Sequence, residues 1–272
     1  MANFMFPPQG FGPGTQPAAE DGEELDYLAM PSGMQTFSPH IPYLEDPAAA
    51  QGAVAFLSEL ADKASAWTVS GGAQAATYDH LDSTNQGVLR EVLGEGEVSI
   101  VIEYPKRVEV QESVFTGVWR IMRNGREHIE IGAIPDAVLM APQVHLSDLP
   151  QPGPGVVNAP AIITEILDQV ENPQGDSHVI NLTLLPHTPQ DLDYLDVVLG
   201  RGGVTILSRG YGNCRIDRCA HPHIWRVRYY NSQDILILDT IEITDIPDVA
   251  CAAPEDIRDA ASRLKNVSEA LT

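Results

Sequence analysis

Basic residues are scarce in this chain of 272 residues: 16 lysines and arginines stand against 38 aspartates and glutamates, a formal net charge of −22. Such a surface repels phosphate backbones and anionic headgroups, so neither nucleic acid nor a lipid surface is an expected partner, while a basic partner is attracted. Solubility alone accounts for the excess equally well, so charge by itself chooses no partner. Long apolar runs are missing too. None approaches the ~18 residues that cross a bilayer, and no membrane insertion is expected. The stretch from Met1 to Pro8 has no basic region and no continuous apolar segment, so it does not read as a secretory signal. Cysteine is nearly absent. Cys214, Cys219 and Cys251 are too few for a disulfide framework, and the odd count fits a reducing, cytoplasmic compartment.

Reaction templates are missing as well. There is no glycine-rich phosphate loop, nucleophile elbow, HExxH or CxxC. Gly200-Arg201-Gly202-Gly203 is the nearest to an anion nest, but it follows an expected helix instead of preceding one, and a helix C-terminal cap explains it better. No catalytic set and no cofactor site is expected.

What is present is a repeat. Glu91-Val92-Leu93-Gly94-Glu95-Gly96-Glu97-Val98-Ser99-Ile100 returns as Val197-Val198-Leu199-Gly200-Arg201-Gly202-Gly203-Val204-Thr205-Ile206, a shift of 106. The same shift carries Trp119-Arg120 onto Trp225-Arg226, and Ala53, Glu59 and Asp62 onto Ala159, Glu165 and Asp168. Further on, Glu130-Ile131 and Ile134-Pro135-Asp136 match Glu242-Ile243 and Ile246-Pro247-Asp248 only at a shift of 112, so the second copy holds six extra residues after its tryptophan.

Each copy reads as helix, strand, helix and antiparallel meander. Ala53, Phe56, Leu57, Leu60 and Ala64 recur at helical spacing, as do Ile162, Ile163, Ile166 and Val170. Thr188-Pro189-Gln190-Asp191 and Ser83-Thr84-Asn85-Gln86 read as helix starts, the latter as a capping box. Gly94 and Gly200 sit where a left-handed terminal residue is wanted. Strand-like text follows at 204–207, 214–216, 224–230 and 234–243, with a short strand expected over 179–185 and a closing helix from Pro254. The expected fold is α+β, an internally duplicated helix–strand–helix plus meander in a pseudo-two-fold arrangement. Its parts are a disordered acidic Pro/Gly-rich tail over 1–45, modules over 46–149 and 158–272, and a Pro/Gly linker over 150–157.

Four side chains suggest a metal loop: Cys214, Cys219, His221 and His223 lie within ten residues. Their spacing is non-standard and the first copy has no such residues in its equivalent stretch, which favours a loop insertion with incidental polar residues. Cys251 lies among small apolar residues and reads as packing. Trp119 and Trp225 share a position in both copies, which favours a core role over a binding one. Asp239, on an otherwise apolar strand, needs a partner, and Arg226 or Tyr229 is at hand.

Ile180-Asn181-Leu182-Thr183-Leu184-Leu185-Pro186, the run Trp225 to Asp234, Leu236 to Glu242 and Val249 to Ile257 together resemble the C-terminal domain of the HupH/HyaF/HoxQ family of hydrogenase expression proteins. Leu25-Asp26-Tyr27-Leu28-Ala29-Met30-Pro31 resembles that family too, so the likeness spans most of the chain. It implies a non-catalytic accessory protein in the maturation of uptake nickel–iron hydrogenases. Its partners would be the precursor of the small iron–sulfur subunit, before twin-arginine export, and a thioredoxin-like accessory protein. The candidate partner contacts are Tyr27, Leu28, Trp225, Arg226, Tyr229 and Tyr230. The alternative is an iron–sulfur or metal carrier that uses the Cys/His loop, to which the resemblance adds nothing.

Overall fold

Ile100 and Ile206 are 106 positions apart in sequence and directly opposite each other at the centre of one sheet. The computed structural model describes residues 47–103, 105–140, 150–210, 212–221 and 223–272. The expected tail over 1–45, with Tyr27 and Leu28, lies outside them. The strands are β1 (Gln74–Ala76), β2 (Val98–Ile102), β3 (Val108–Glu112), β4 (Val118–Arg123), β5 (Arg126–Ile131), β6 (His178–Asn181), β7 (Val204–Ser208), β8 (Asn213–Arg218), β9 (Ile224–Tyr230) and β10 (Leu236–Ile243). All pairings are antiparallel, in the order β1-β5-β4-β3-β2-β7-β8-β9-β10-β6. Read outward from the β2–β7 joint, the halves have one strand order.

Side chains alternate faces along a strand. Ile121, Val110, Ile100, Ile206, Ile216 and Val227 pair in register and form an apolar row on one face. Val118, Ile129, Ile224 and Ile241 therefore fall on the other, which carries the helices. These are α1 (Gln51–Ala66), α2 (Ser83–Leu93), α4 (Ala159–Glu171), α5 (Pro189–Leu199) and α6 (Pro254–Ala270), while the single turn α3 (Asp136–Leu139) lies on the first face. The apolar stripes of α1, α2 and α6 bury against Phe115, Val118, Ile129 and Ile131. Those of α4 and α5 bury against Ile180, Ile224 and Ile241. On the opposite face Val138 of α3 and Ala250 close over Trp119 and Trp225, which are 0% and 2% exposed.

Local chemistry explains the matching joints. Gly94 and Gly200 end α2 and α5 at φ 52° and 58°, a left-handed region that a Cβ disfavours. Two residues later, a Cβ on Gly96 would meet Ser113 O at 2.3 Å, and one on Gly202 would meet Cys219 O at 2.1 Å. Both glycines donate backbone N–H groups across the gap, to Glu112 O and Arg218 O. Thr188 forms the expected cap: its Oγ1 accepts from Asp191 N at 3.0 Å, and Asp191 Oδ2 accepts from Thr188 N at 2.9 Å.

Two expectations are corrected. The start of α2 is capped by Asp82, whose Oδ1 accepts from Asn85 N at 2.9 Å, and not by a Ser83 box. The Asn85 side chain instead reaches α1, its Oδ1 accepting from Ala53 N at 2.7 Å. Asp191 repeats that link by accepting from Ala159 N at 2.9 Å. The strand expected over 179–185 ends at Asn181 and becomes a 3-10 turn over Leu182–Leu184, where Thr183 Oγ1 accepts from Asp239 N. α6, within the module expected over 158–272, packs on α1 of the first half.

Candidate functional site

Beside α5, on the helix face of β7, β8 and β9, a cavity of about 190 Å³ is lined by Arg201, Arg215, Arg218, Arg226 and Arg228, a large share of a chain with 16 basic residues. Strand alternation aims Arg215 of β8 and Arg226 and Arg228 of β9 there, Arg218 at the end of β8 starts from the other face opposite Trp225, and the turn after α5 supplies Arg201. Carboxylates hold the cluster. Asp217 accepts from Arg215 Nε at 2.7 Å, Arg228 Nη2 at 2.5 Å and Thr205 Oγ1 at 2.8 Å. Burial alone would raise the Asp217 carboxyl, but these donors hold it below its ordinary value. Arg226 is the anchor. Its Nε and Nη2 grip the buried Asp239 at 2.9 and 2.6 Å, and its Nη1 pairs with Asp196 of α5. The bidentate pair with Asp239 and the contact with Asp196 fix β9, β10 and α5 to one another.

The first half keeps the same central pair and reverses the third charge. Glu127, at the position matching Asp239, takes Arg120 Nε at 2.7 Å and Arg90 Nε at 3.2 Å. Arg90 stands where the second half has Asp196. Glu112 and Arg218 form another matched pair of buried, oppositely charged residues. Burial pushes the Glu112 carboxyl up to about 7, against a hydrogen bond from Gly117 N. Of these groups the sequence flagged Asp239 and Arg226 alone. The matched charges at 90/196 and 112/218 are visible at the repeat spacing, but only to a search for opposite signs.

The sequence-predicted residues are not brought together. Trp225 is a core residue, its Nε1 donating to Asp245 O at 3.3 Å, and Arg226 is locked in its ion pairs, so neither is free to touch a partner. Tyr229 and Tyr230 are half-buried at the base of the β9–β10 hairpin, and burial raises the Tyr229 hydroxyl to about 12. The proposed metal loop does not converge. Cys214 packs in the tryptophan-side core and Cys219 in the α4–α5 core, on opposite faces of the sheet. Burial pushes their thiols up to about 11 and about 12, disfavouring the thiolate that a metal requires. His223 Nδ1 pairs with Asp245 at 2.8 Å. Among the described residues no group of three His, Cys, Asp or Glu side chains is arranged to hold a metal ion. Cys251 is half-buried, its thiol pushed up to about 11.

The six extra residues of the second copy lengthen the β9–β10 hairpin. In the first half Arg123 pairs with Arg126 across the tight turn Asn124-Gly125, whereas in the second Tyr230 pairs with Leu236 around a longer turn. Ile235, Leu236 and Ile237 at this tip are 56%, 45% and 56% exposed. Ile235 lies in the turn and the register shifts between Leu236 and Leu238, and three exposed apolar residues in a row leave the tip bare.

The molecule is thus an α+β protein with two like-ordered halves around one antiparallel sheet, its second half carrying an arginine-lined cavity and an exposed apolar hairpin. The family model for the HupH hydrogenase expression protein, C-terminal conserved region, matches residues 50–148 and again 156–271. The chain is 49% identical over 276 aligned residues to hydrogenase expression/formation protein HupH of Rhodobacter capsulatus, covering 100% of this chain and 99% of that one. It is 44% identical to hydrogenase expression/formation protein HoxQ of Cupriavidus necator, over 98% of each, and 33% identical to hydrogenase-1 operon protein HyaF of Escherichia coli, over 95% and 94%. A solved structure of hydrogenase expression protein HupH from Thiobacillus denitrificans aligns with 39% of this chain and 89% of its own, at 28% identity and a TM-score of 0.37. The chain belongs to the HupH family of hydrogenase expression proteins.

Proposed function

We propose that this protein is a cytoplasmic accessory factor that binds the precursor of the small iron–sulfur subunit of an uptake nickel–iron hydrogenase before its twin-arginine export. A thioredoxin-like accessory protein is its second partner. The observation that carries the reading is likeness along the whole chain to proteins named for hydrogenase expression and formation. The net charge of −22 supports it, because a twin-arginine leader is basic. The bare hairpin tip supplies apolar surface of the kind that anchors a partner. Action by binding and not by catalysis is supported by the three thiols, which burial keeps protonated at neutral pH, and by carboxylates and arginines engaged with one another.

Co-purification with a tagged small-subunit precursor, with and without its leader and at low and high salt, tests the reading. The precursor is expected to be retained, less well without its leader and less well at high salt. Failure to retain it in any condition overturns the proposal.

A further inference from the structure

α6 is held on the first half by contacts that can be traced one by one. Ala252 N, just before the helix, donates to Ala133 O at 2.8 Å. Ile257 lies so close to Gly117 that a Cβ there would meet its Cγ1 at 2.5 Å. Arg263 Nη2 donates to Val114 O at 3.0 Å, and its guanidinium sits 5.3 Å from the centroid of the Phe115 ring. Beneath the helix, Ala61 and Ala64 of α1 are 6% and 0% exposed. Small side chains there let the two helices approach closely.

At the repeat spacing, the same seat exists in the second half. Leu57, Leu60, Phe115 and Val118 correspond to Ile163, Ile166, His221 and Ile224, which help enclose an apolar cavity of about 120 Å³ between α4 and α5. Gly117 and Ala133 correspond to His223 and Asp245, which border a second space of about 580 Å³ together with Val170. Leu167 and Val170, in the places of Ala61 and Ala64, are only half-buried. Among the described residues, no helix rests on α4 as α6 rests on α1.

We infer that this groove is a docking site for a basic amphipathic helix of a partner protein. The shape follows from α6, which shows what the matching seat accepts. The sign of the charge follows from the surroundings: the chain has no lysine or arginine between Arg126 and Arg201, while Glu165, Asp168 and Glu171 on α4 and Asp193 on α5 are exposed and Asp176 lines the larger space. An acidic helix in that seat meets like charge at close range, and so does the chain's own acidic sequence around 20–26. The inference rests on the accessory-binding reading above for the identity of the partner, and on the two halves alone for the groove.

The probe is a fluorescent peptide with the α6 sequence Pro254–Ala270 carrying Glu255→Lys, Asp256→Lys, Asp259→Lys and Glu269→Lys, all at exposed positions, titrated into the full-length protein. Saturable binding is expected, weakened at least ~10-fold by Leu167→Gln with Val170→Gln, a loss of about 1.4 kcal/mol. Glu165→Gln with Asp168→Asn and Glu171→Gln weakens it at low salt and less at high salt. Glu59→Gln with Asp62→Asn on α1 leaves it unchanged. An unchanged melting temperature in the α4 variants shows that they fold. Absence of saturable binding, or indifference to the Leu167/Val170 pair, overturns the inference. So does a benzophenone side chain at position 170 that cross-links to residues 1–46 of its own chain or to a second copy instead of the peptide. The outcomes separate the two proposals. Protein that binds the peptide but not the hydrogenase precursor sinks the hydrogenase reading and keeps the groove; protein that binds the precursor but not the peptide does the reverse.

Discussion

The two halves share a backbone plan and differ in what is laid over it. The joints agree in detail: left-handed glycines after α2 and α5, glycines pressed against a carbonyl two residues on, buried tryptophans on β4 and β9, and Asn85 or Asp191 holding the first turn of α1 or α4. The charges are exchanged. Two arginines hold one carboxylate in the first half, and two carboxylates hold one arginine in the second. The covers differ as well, since the first half is roofed by α6 and closed by a tight hairpin while the second has open apolar space beside α4 and a long bare hairpin. Positions fixed by sterics stay alike, because a Cβ or a missing ring fits no alternative backbone. The third charge tolerates exchange because each buried pair offers both signs: an arginine at 90 reaches Glu127, and an aspartate at 196 reaches Arg226. The half freed from covering itself is the one with surface to offer a partner.

The exchange of charges sets the largest expected difference. Arg226→Ala leaves Asp239, whose side chain is 7% exposed, without its cation, and it should cost about 3–5 kcal/mol of stability. Arg120→Ala leaves Glu127 with Arg90 and should cost about 1–3 kcal/mol. Urea denaturation of both variants makes the comparison, and equal losses would break it by showing that Arg90 does not compensate.

Next comes the pair Glu112 and Arg218. Glu112 has its folded-state pKa raised from 4.5 to about 7, so between those values the folded protein binds the proton more tightly than the unfolded chain does. The contribution of this group therefore falls as pH rises from about 4.5 to about 7, by an amount on the order of 3 kcal/mol. Glu112→Gln should flatten that limb of the stability–pH curve. Aspartates held low, such as Asp217 and Asp191, act in the opposite sense and lose their contribution only at more acidic pH. A variant whose curve keeps the same slope as the parent would show that Glu112 is not the source.

A smaller and symmetric effect is expected at the joints. Gly96→Ala and Gly202→Ala each drive a Cβ into a backbone oxygen that cannot rotate away, and each should cost about 1–3 kcal/mol. Thermal unfolding would show a loss in one and not the other if the joints were not equivalent.

Legibility followed the same division. The shift of 106, the glycine caps, the Thr188 cap and the Asp239 partner were readable because each follows a local rule that few residue types satisfy. The cap at Asp82 was misplaced by one position, since Asp82 and Ser83 are both good caps and only the distant Ala53 N–H, which claims Asn85, separates them. The seat of α6 was not readable. Its apolar stripe states that one face is buried, not against which half, and nothing local distinguishes α1 from α4 as a destination. The cysteine and histidine loop suggests a metal only by its spacing, which ignores the alternation that sends Cys214 and Cys219 to opposite faces.

The smallest stability effect belongs to the feature most exposed to a partner. Ile235→Ser with Ile237→Ser removes apolar side chains that are each 56% exposed and sit beyond the part of the hairpin that packs. Little burial is lost, and the unfolding free energy should change by no more than about 0.5 kcal/mol. Binding should behave otherwise, because an exposed apolar tip contributes only when a partner covers it. Retention of the hydrogenase precursor is expected to drop while the melting temperature stays put. The first half supplies the control, since its hairpin ends in Asn124-Gly125 with nothing apolar to remove, and Asn124→Ser should leave retention unchanged. A large stability loss in the isoleucine variant would mean that the tip packs on its own protein. Unchanged retention would mean that partner contact runs through the α4 side instead, and would leave the long hairpin as a difference between the halves without a consequence for binding.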